Sequence, residues 1–200
     1  MTNKDKILDI SKRLKLSHIG SCLSVLPILE EVYAKKKPED KVIMDNAHAH
    51  LAHLVVTNRD AEELIKRDIH CNRESGCDAS GGSLGHGIGI SIGIALANPK
   101  ITVLTVISDG SIMEGSGAEA LRIAKTLGIT NIEIHANFNG FTATSVVDLD
   151  YVEQFIKGFG FPVKFHRTYN GLPELDGIKG HYLTLNENKT ETNKTKVGHI

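Results

Sequence analysis

Polar side chains follow two apolar runs that have the composition of buried strands. Asp109 lies just past the run ITVLTVI at 101–107. The next such run, NIEIHA at 131–136, is followed by Asn137 and Asn139. The carboxyl ends of parallel strands meet at one edge of a sheet, where ligands bind, and Mg²⁺ takes one or two protein oxygens together with phosphates and water. The sequence therefore predicts a magnesium site formed by Asp109 with Asn137 or Asn139.

Glycine-rich segments accompany these polar residues. The stretch ASGGSLGHGIGISIGIALA at 79–97 has a glycine-rich turn that leads into an apolar segment with further glycines. Because glycine costs a helix about 1 kcal/mol per site, these glycines predict a close approach of the backbone to a ligand or a neighbouring helix. Gly110 follows Asp109 and would let main-chain N–H groups approach phosphate, and the amino terminus of the helix that follows adds a favourable dipole. The stretch at 79–97 is not a dinucleotide fingerprint, because it lacks the G-x-G-x-x-G spacing and follows no strand.

Helix-like and strand-like segments alternate along the chain, and together they must position these residues. The first helix has apolar residues at a helical period, and Pro27 favours the start of a second helix that runs to Ala34. The remaining helices are expected at 46–56, 60–67, within 79–97, at 114–127 and at 149–159. The strands are expected at 41–44, 101–107, 131–136, 162–166 and 181–185.

This alternation predicts a doubly wound α/β fold with a mainly parallel sheet and helices on both faces. We expect one domain over residues 1–185 and a polar tail over residues 186–200.

Composition excludes several classes of protein. The formal net charge is −1 and aromatic residues make up 5% of the 200 residues, which argues against a surface for nucleic acid. Apolar runs stay below the roughly 20 residues of a membrane span, and the first ten residues are too polar for a signal peptide. Three cysteines without a framework spacing fit a reducing compartment. We therefore expect a cytoplasmic protein that binds neither nucleic acid nor membranes.

Four segments resemble motifs of the transketolase family. SDGSIMEGSGAEALRIAKTLGITNIEIHANFNGFT at 108–142 resembles the family's thiamine-diphosphate motif, which runs G-D-G, E-G, E-A and ends in an asparagine. The spacing from Asp109 to Asn139 matches that motif without a gap. GGSLGHGIGISIGIALA is similar to the family's G-x-L-G-Q-G loop and helix, LSHIG to S-G-H-x-G, and MDNAHAH to S-N-G-H-G-S. The order of the four segments identifies the chain as a member of the family, as its amino-terminal, diphosphate-binding half.

The resemblance implies a set of residues for thiamine diphosphate and Mg²⁺. Asp109, the Asn139 side chain and the backbone carbonyl of Phe141 would bind Mg²⁺, and Gly110 would let the diphosphate approach. Gly82 would accept a hydrogen bond from the aminopyrimidine. The residues expected at the cofactor are Gly82, Ser83, Leu84, His86, Asp109, Gly110, Ser111, Glu114, Asn139 and Phe141.

Histidines and glutamates carry further implied roles. His18 and His48 match family histidines that face the reacting carbon, where they would hydrogen-bond substrate oxygens or move protons. Glu114 and Glu119 match glutamates near a subunit interface, although charges at this spacing are also typical of an exposed helical face. His86 replaces a family glutamine and either contacts cofactor or substrate or simply occupies the helix turn.

The resemblance also implies a second chain. Thiamine chemistry needs a carboxylic acid that protonates the pyrimidine ring, and in the family this glutamate lies in a separate pyrimidine-binding domain for which the sequence leaves no room. We therefore expect half of a split transketolase, with two copies of each chain and the cofactor between the halves. The reaction would transfer a two-carbon ketol unit from a ketose to an aldose, with sugars or sugar phosphates as substrates.

Other functions fit parts of the sequence. Small residues replace family glycines, and Phe138 replaces an acidic residue, which leaves room for a non-catalytic paralogue that binds or regulates a partner. HAHLAH at 48–53 has the H-x-H-x-x-H spacing of metallo-hydrolases, but on a helix His50 and His53 would face away from His48. IHCNRESGC at 69–77 offers two cysteines and a histidine to a metal, with no fourth ligand at a recognisable spacing.

Overall fold

The computed structural model describes residues 1–140, 142 and 147–168. A single parallel sheet forms its centre, and the strand order across the sheet follows the chain order. The strands are β1 (Lys41–Met44), β2 (Val103–Ser108), β3 (Ile132–Phe138) and β4 (Val163–Arg167). The register pairs Ser108 with Asn137, so β2 and β3 end side by side.

Helices cover both faces of this sheet. In chain order they are α1 (Asn3–Leu14), α2 (Ile19–Lys35), a short 3₁₀ helix (Ala47–Ala49), α3 (His50–Val56), α4 (Ala61–Arg67), α5 (His86–Ala97), α6 (Asp109–Met113), α7 (Gly115–Thr126) and α8 (Leu149–Gly158). Helices α1 to α4 share a core with one face of the sheet, and α5 to α8 share a second core with the other face. The predicted α/β fold, with a parallel sheet covered on both faces, is therefore confirmed.

The strands supply both cores by the alternation of their side chains. In β2, Leu104 and Val106 join the core beneath α1 to α4, whereas Val103 and Ile107 join the core beneath α5 to α8. Successive side chains of a strand point to opposite faces, so a strand covered on both faces is apolar throughout. This pattern explains the continuous apolar run from which β2 was predicted.

One helix starts earlier than predicted, and one helix was not predicted. Helix α2 begins at Ile19, well before the predicted start at Pro27, which lies inside the helix on an exposed face. Proline removes one main-chain hydrogen bond and disfavours a helix interior, but the burial of α2 against α1 and α3 outweighs that cost. Asp109 is the first residue of the additional helix α6, because Ser108 caps that helix directly at the end of β2.

Some predictions fall on residues that the structure does not describe. They are the strand at 181–185, the domain boundary at residue 185, the tail at 186–200 and Phe141. In the described part of the chain, each helix is too short or too polar to cross a membrane.

Candidate active site at the carboxyl edge of the sheet

Asp109 links the ends of β2 and β3. Its carboxylate is fully buried, and it accepts hydrogen bonds from the main-chain N–H groups of Gly110 at 3.1 Å and Gly140 at 2.7 Å. Gly140 follows Asn139, so the acid after β2 is tied to the loop after β3. A carboxylate has about four acceptor positions, so these amide bonds and a cation are compatible at one side chain. The predicted closeness of the two strand ends is therefore present in the structure.

The side chain of Asn137 is committed to the scaffold. Its Nδ2 donates to Ser24 Oγ at 2.9 Å, and its Oδ1 accepts from Thr168 Oγ1 at 2.7 Å. Asn137 is buried, whereas Asn139 is partly exposed towards a cavity. Both asparagines left open by the residue pattern line that cavity, and the cation ligand at this edge stays a prediction.

Ser108 and Ser111 shape the start of α6. The Ser108 hydroxyl accepts from the Ser111 N–H at 3.2 Å, and the Ser111 hydroxyl accepts from the Ser108 N–H at 2.9 Å. This reciprocal capping satisfies main-chain donors that a helix start leaves open. Ser111 was predicted at the cofactor, and the structure buries its side chain beneath the cavity, where it supports the turn that carries Asp109.

A cavity of about 190 Å³ lies at the same edge. It brings together six of the predicted site residues, which are His18, His48, Gly82, Leu84, Gly110 and Asn139. Its other lining residues are Ser21, Asn46, His70, Ser108, Asn137 and Thr142. Segments far apart in the sequence therefore converge on one concave polar site.

Three histidines form one wall of this cavity. The rings of His18 and His48 are 5.1 Å apart between centroids, and those of His18 and His70 are 6.4 Å apart. His18 has a left-handed backbone with φ of +65°, and its Nδ1 lies 2.7 Å from the Ser17 hydroxyl. A non-glycine residue in this region is strained, and such strain concentrates at functional sites. His70, which the sequence associated with two cysteines, instead joins the predicted pair.

Asn46 was not predicted as a site residue, and its side chain is unusual. It lines the cavity and is fully buried, yet neither its Nδ2 nor its Oδ1 has a hydrogen-bond partner among the described residues. An unpaired buried amide is costly. This side chain therefore fits a site that receives a polar ligand.

Asp45 holds the glycine-rich loop at 81–85, which precedes α5. Its carboxylate accepts hydrogen bonds from the main-chain N–H groups of Gly85 at 2.9 Å and of Gly87, at the first turn of α5. Burial raises the pKa of Asp45, and hydrogen bonds from Ser111 and from the two glycine amides oppose that rise. No motif spacing marked Asp45, although it orders the loop that carries Gly82.

His86 and Ser83 lie outside the histidine-lined cavity. They line a neighbouring pocket of about 350 Å³, which meets that cavity at Gly82. Of the two interpretations of His86, the structure gives an exposed side chain at the first turn of α5, turned towards this second pocket. Glu114 and Glu119 are exposed, and Glu119 forms a 3.3 Å ion pair with Arg122.

The structure separates the histidines of HAHLAH. The ring of His48 lies beside that of His18, whereas His50 and His53 lie on α3 with their rings 6.2 Å apart. The three rings therefore do not form the single cluster that a metallo-hydrolase requires, as the helical spacing predicted.

The chain is similar to several known proteins. The family model for 1-deoxy-D-xylulose-5-phosphate synthase matches residues 4–147. A 1-deoxy-D-xylulose-5-phosphate synthase of Dehalococcoides mccartyi is 31% identical over 137 residues, which cover 62% of this chain and 21% of that protein. The chain thus spans about one fifth of that relative. One subunit of an apulose-4-phosphate transketolase of Phocaeicola vulgatus is 25% identical over 193 residues, which cover 80% of this chain and 68% of that protein.

Solved structures share the fold. Transketolase from Leishmania mexicana matches with a TM-score of 0.65 and 17% identity over 83% of this chain and 35% of that one. A Pichia stipitis transketolase in complex with xylulose 5-phosphate matches with a TM-score of 0.51 and 24% identity over 60% of this chain and 22% of that one. The family match covers most of the described residues and includes the whole histidine-lined cavity. The chain therefore belongs to the 1-deoxy-D-xylulose-5-phosphate synthase family, and it shares the fold of part of these transketolases.

Proposed function

We propose that this chain is the diphosphate-binding half of a two-chain, thiamine-diphosphate- and Mg²⁺-dependent transketolase. It would transfer a two-carbon ketol unit from a ketose to an aldose. The observation that carries the proposal is the single cavity in which His18, His48, the glycine loop and Asn139 meet beside Asp109. Membership of the family supports thiamine-diphosphate-dependent ketol transfer in general.

The residues present fit the cofactor and its metal. Asp109 and Asn139 offer oxygen ligands, which Mg²⁺ prefers, and the carbonyl of Phe141 is proposed as a third. Gly82 has open space where a Cβ would project, so its backbone is accessible to a ligand. The unpaired amide of Asn46 gives the cavity a donor and an acceptor for a polar group.

Thiamine diphosphate, when bound, supplies a nucleophilic carbon for the carbonyl of the sugar. The residues of this chain position and polarise the reactants. His18 and His48 lie on one wall of the cavity, where imidazoles donate hydrogen bonds to substrate oxygens and exchange protons near neutral pH. Gly110 lines the cavity beside the proposed diphosphate position, where its N–H and that of Ser111 donate to Asp109 and Ser108 and so fix the turn.

A second chain with a pyrimidine-binding domain is part of this proposal. Helix α5 is apolar nearly all round, yet Gly89, Gly93 and Leu96 lie on an exposed face, with Leu96 56% exposed. A helix that is apolar on every side is normally buried, so this face suits a protein partner. The relative from Phocaeicola vulgatus is named as one subunit of a transketolase, which supports a separate partner chain. We propose an assembly of two copies of each chain.

One alternative reaction is favoured by a specific finding. The matched family is named for a 1-deoxy sugar, whose first carbon is a methyl group. Such a product needs a donor that delivers a two-carbon unit ending in a methyl group, as a 2-oxo acid does when it loses carbon dioxide. A decarboxylating donor reaction is therefore the second candidate at the same cavity.

The decisive experiment is a calorimetric titration of thiamine diphosphate, with and without Mg²⁺, in the presence and absence of the chain encoded beside this one. We expect binding that requires Mg²⁺, tightens with the second chain and is lost in Asp109→Ala. Asp9→Ala is the matched control, because Asp9 is a half-exposed acid of α1 paired with Arg13.

Two results of that titration would change the proposal. Binding that is indifferent to Mg²⁺ and to Asp109 would refute the assignment of the metal ligands. Absence of binding under every condition would favour the non-catalytic paralogue. Once binding is established, assays with a ketose donor and with a 2-oxo acid donor separate the two reactions.

A further inference from the structure

Four buried side chains form a cluster beside α3. His50 and His53 lie one turn apart on α3, and Cys71 and Cys77 lie in the loop between α4 and α5. None of the four is more than 7% exposed. One nitrogen or sulfur atom from each residue lies within 4.8 Å of those of the other three.

We propose that His50, His53, Cys71 and Cys77 bind a structural zinc ion. Two imidazole nitrogens and two thiolates are a common ligand set of closed, four-coordinate zinc sites. Ligands at about 2.0–2.3 Å from one ion lie about 3.3–3.8 Å from each other. The distance from Cys77 Sγ to His53 Nδ1 is 3.5 Å, which is already in that range.

Outer hydrogen bonds orient His50 for this role. Its Nδ1 lies 3.1 Å from the main-chain carbonyl of Asp68, which can only accept, so Nδ1 carries the proton. The lone pair of the neutral ring is then on Nε2, which lies 2.8 Å from the Ser75 hydroxyl. Zinc-binding histidines usually donate their other ring N–H to such a carbonyl, which fixes the ring.

The Ser75 hydroxyl has two acceptors within reach. Besides His50 Nε2, its oxygen lies 2.8 Å from the carbonyl of Asn72, which also accepts from the Cys77 N–H at 3.1 Å. The single hydroxyl proton serves one acceptor at a time. With a cation at His50 Nε2, Ser75 would donate to Asn72 alone.

His53 has a corresponding arrangement. Its Nε2 lies 2.7 Å from the hydroxyl of Tyr33 on α2, and its Nδ1 faces Cys77. With zinc at Nδ1, Nε2 would carry the proton and donate it to the tyrosine oxygen. Both imidazoles therefore use one nitrogen for the scaffold and turn the other towards the cluster.

The loop that carries the cysteines is folded to deliver them to α3. Cys77 N–H donates to the carbonyl of Asn72 at 3.1 Å, and Gly76 has φ of +85°, a turn that glycine permits. Cys71 N–H donates to the carbonyl of Ala47, and Gly81 N–H donates to the carbonyl of Cys71. Zinc would thus brace the two segments that present His48 and Gly82 to the histidine-lined cavity.

The test is the zinc content of tag-free protein purified without added metal, measured by plasma mass spectrometry. We expect about one zinc ion per chain in the wild type and less than about one tenth in Cys77→Ser and His53→Gln. Cys22→Ala is the matched control, because Cys22 is also a buried thiol but is not part of the cluster. The Cys22→Ala variant should keep about one zinc ion per chain.

A second measurement covers the case in which these variants do not fold. Co²⁺ replacing zinc in the wild-type chain should give the visible bands of a tetrahedral ion together with thiolate-to-metal charge-transfer absorption.

Three results would overturn the proposal. They are a wild-type chain without zinc even after incubation with Zn²⁺, a chain that holds iron instead, and an intact mass lower by two hydrogen atoms with Cys71 and Cys77 joined. All are independent of thiamine diphosphate, so this proposal and the proposed function can fail separately.

Discussion

The carboxylate of Asp45 accepts a 2.9 Å hydrogen bond from the main-chain N–H of Gly85, which ties the end of β1 to the start of α5. Removing this acid leaves buried main-chain donors without a partner, at a cost of about 1–3 kcal/mol. We therefore expect Asp45→Ala to lower the free energy of unfolding in urea by that amount and to weaken binding of thiamine diphosphate. Asp45→Asn keeps one acceptor oxygen, so it should lose less stability and less affinity for thiamine diphosphate than Asp45→Ala. Equal losses in the two variants would show that the hydrogen bonds are not the cause.

Gly82 in the glycine-rich loop and Gly87 in the first turn of α5 should respond differently to substitution by alanine. A Cβ at Gly87 would lie 2.6 Å from Cβ of Asp45, whereas a Cβ at Gly82 would meet nothing within 4 Å. We expect Gly87→Ala to destabilise the fold by about 1–3 kcal/mol through overpacking. Gly82→Ala should change the stability by less than about 0.5 kcal/mol yet weaken cofactor binding, because its methyl group enters the cavity. Urea unfolding and calorimetry test the pair, and a destabilised Gly82→Ala would contradict the open position.

His18 combines a left-handed backbone with a place beside His48. Asparagine tolerates this conformation, so His18→Asn should fold with nearly unchanged stability. Loss of a proton-transferring imidazole should lower kcat about 100-fold or more in the assembled enzyme. Lys15→Asn is the matched control, because Lys15 is also left-handed, with φ of 53°, and lies outside the cavity. Full activity in His18→Asn would exclude a catalytic role.

A charged substitution on the exposed face of α5 should impair assembly with the second chain rather than folding. Gly93 and Gly158 are both exposed helical glycines with open space at the Cβ position. Gly93→Glu should place a charge in the proposed interface and prevent association with the second chain, whereas Gly158→Glu on α8 should not. Sedimentation velocity of each variant mixed with that chain tests the difference. Normal assembly of Gly93→Glu would place the partner elsewhere.

The folded protein should be less stable in acid because of His135 and His166. Their rings stack with centroids 5.2 Å apart, and Lys35 Nζ lies 3.0 Å from His135. Burial and, for His135, the charge of Lys35 lower the pKa of both histidines below 6.5. The unfolded chain then binds more protons than the folded one, so stability should fall as the pH drops through 6.5 towards the folded pKa values.

Melting temperatures between pH 7.5 and 5 measure this effect. The fall should be smaller in His166→Gln, which keeps a polar side chain beside His135 without the second titrating ring. An unchanged slope in that variant would assign the acid sensitivity to other groups.

The sequence was sufficient to predict the parallel sheet and the closeness of the loops that carry Asp109 and Asn139, because strand periodicity and spacing are local properties. The sequence did not indicate Asp45 or Asn46, which lie before the recognised histidine in MDNAHAH. Asp45 meets the glycine-rich loop, and Asn46 lines the cavity, only once the chain has folded.

The histidine and cysteine cluster shows the same limit. HAHLAH and IHCNRESGC were each recognised as possible parts of a metal site. Their histidines and cysteines form one cluster only because the loop that carries the cysteines folds onto α3. Residue spacing describes ligands within one segment, and it does not describe a site assembled from two segments that tertiary packing brings together.

The side chain of Asn137 joins Ser24 on α2 to Thr168 at the end of β4. One amide thus connects the second helix with the last described residue of the chain. During synthesis, a chain emerges from the ribosome in order, so this connection cannot close until β4 has emerged. The side chain of Asn137, which lines the cavity, is therefore fixed late, and a nascent chain lacking β4 should not yet hold thiamine diphosphate.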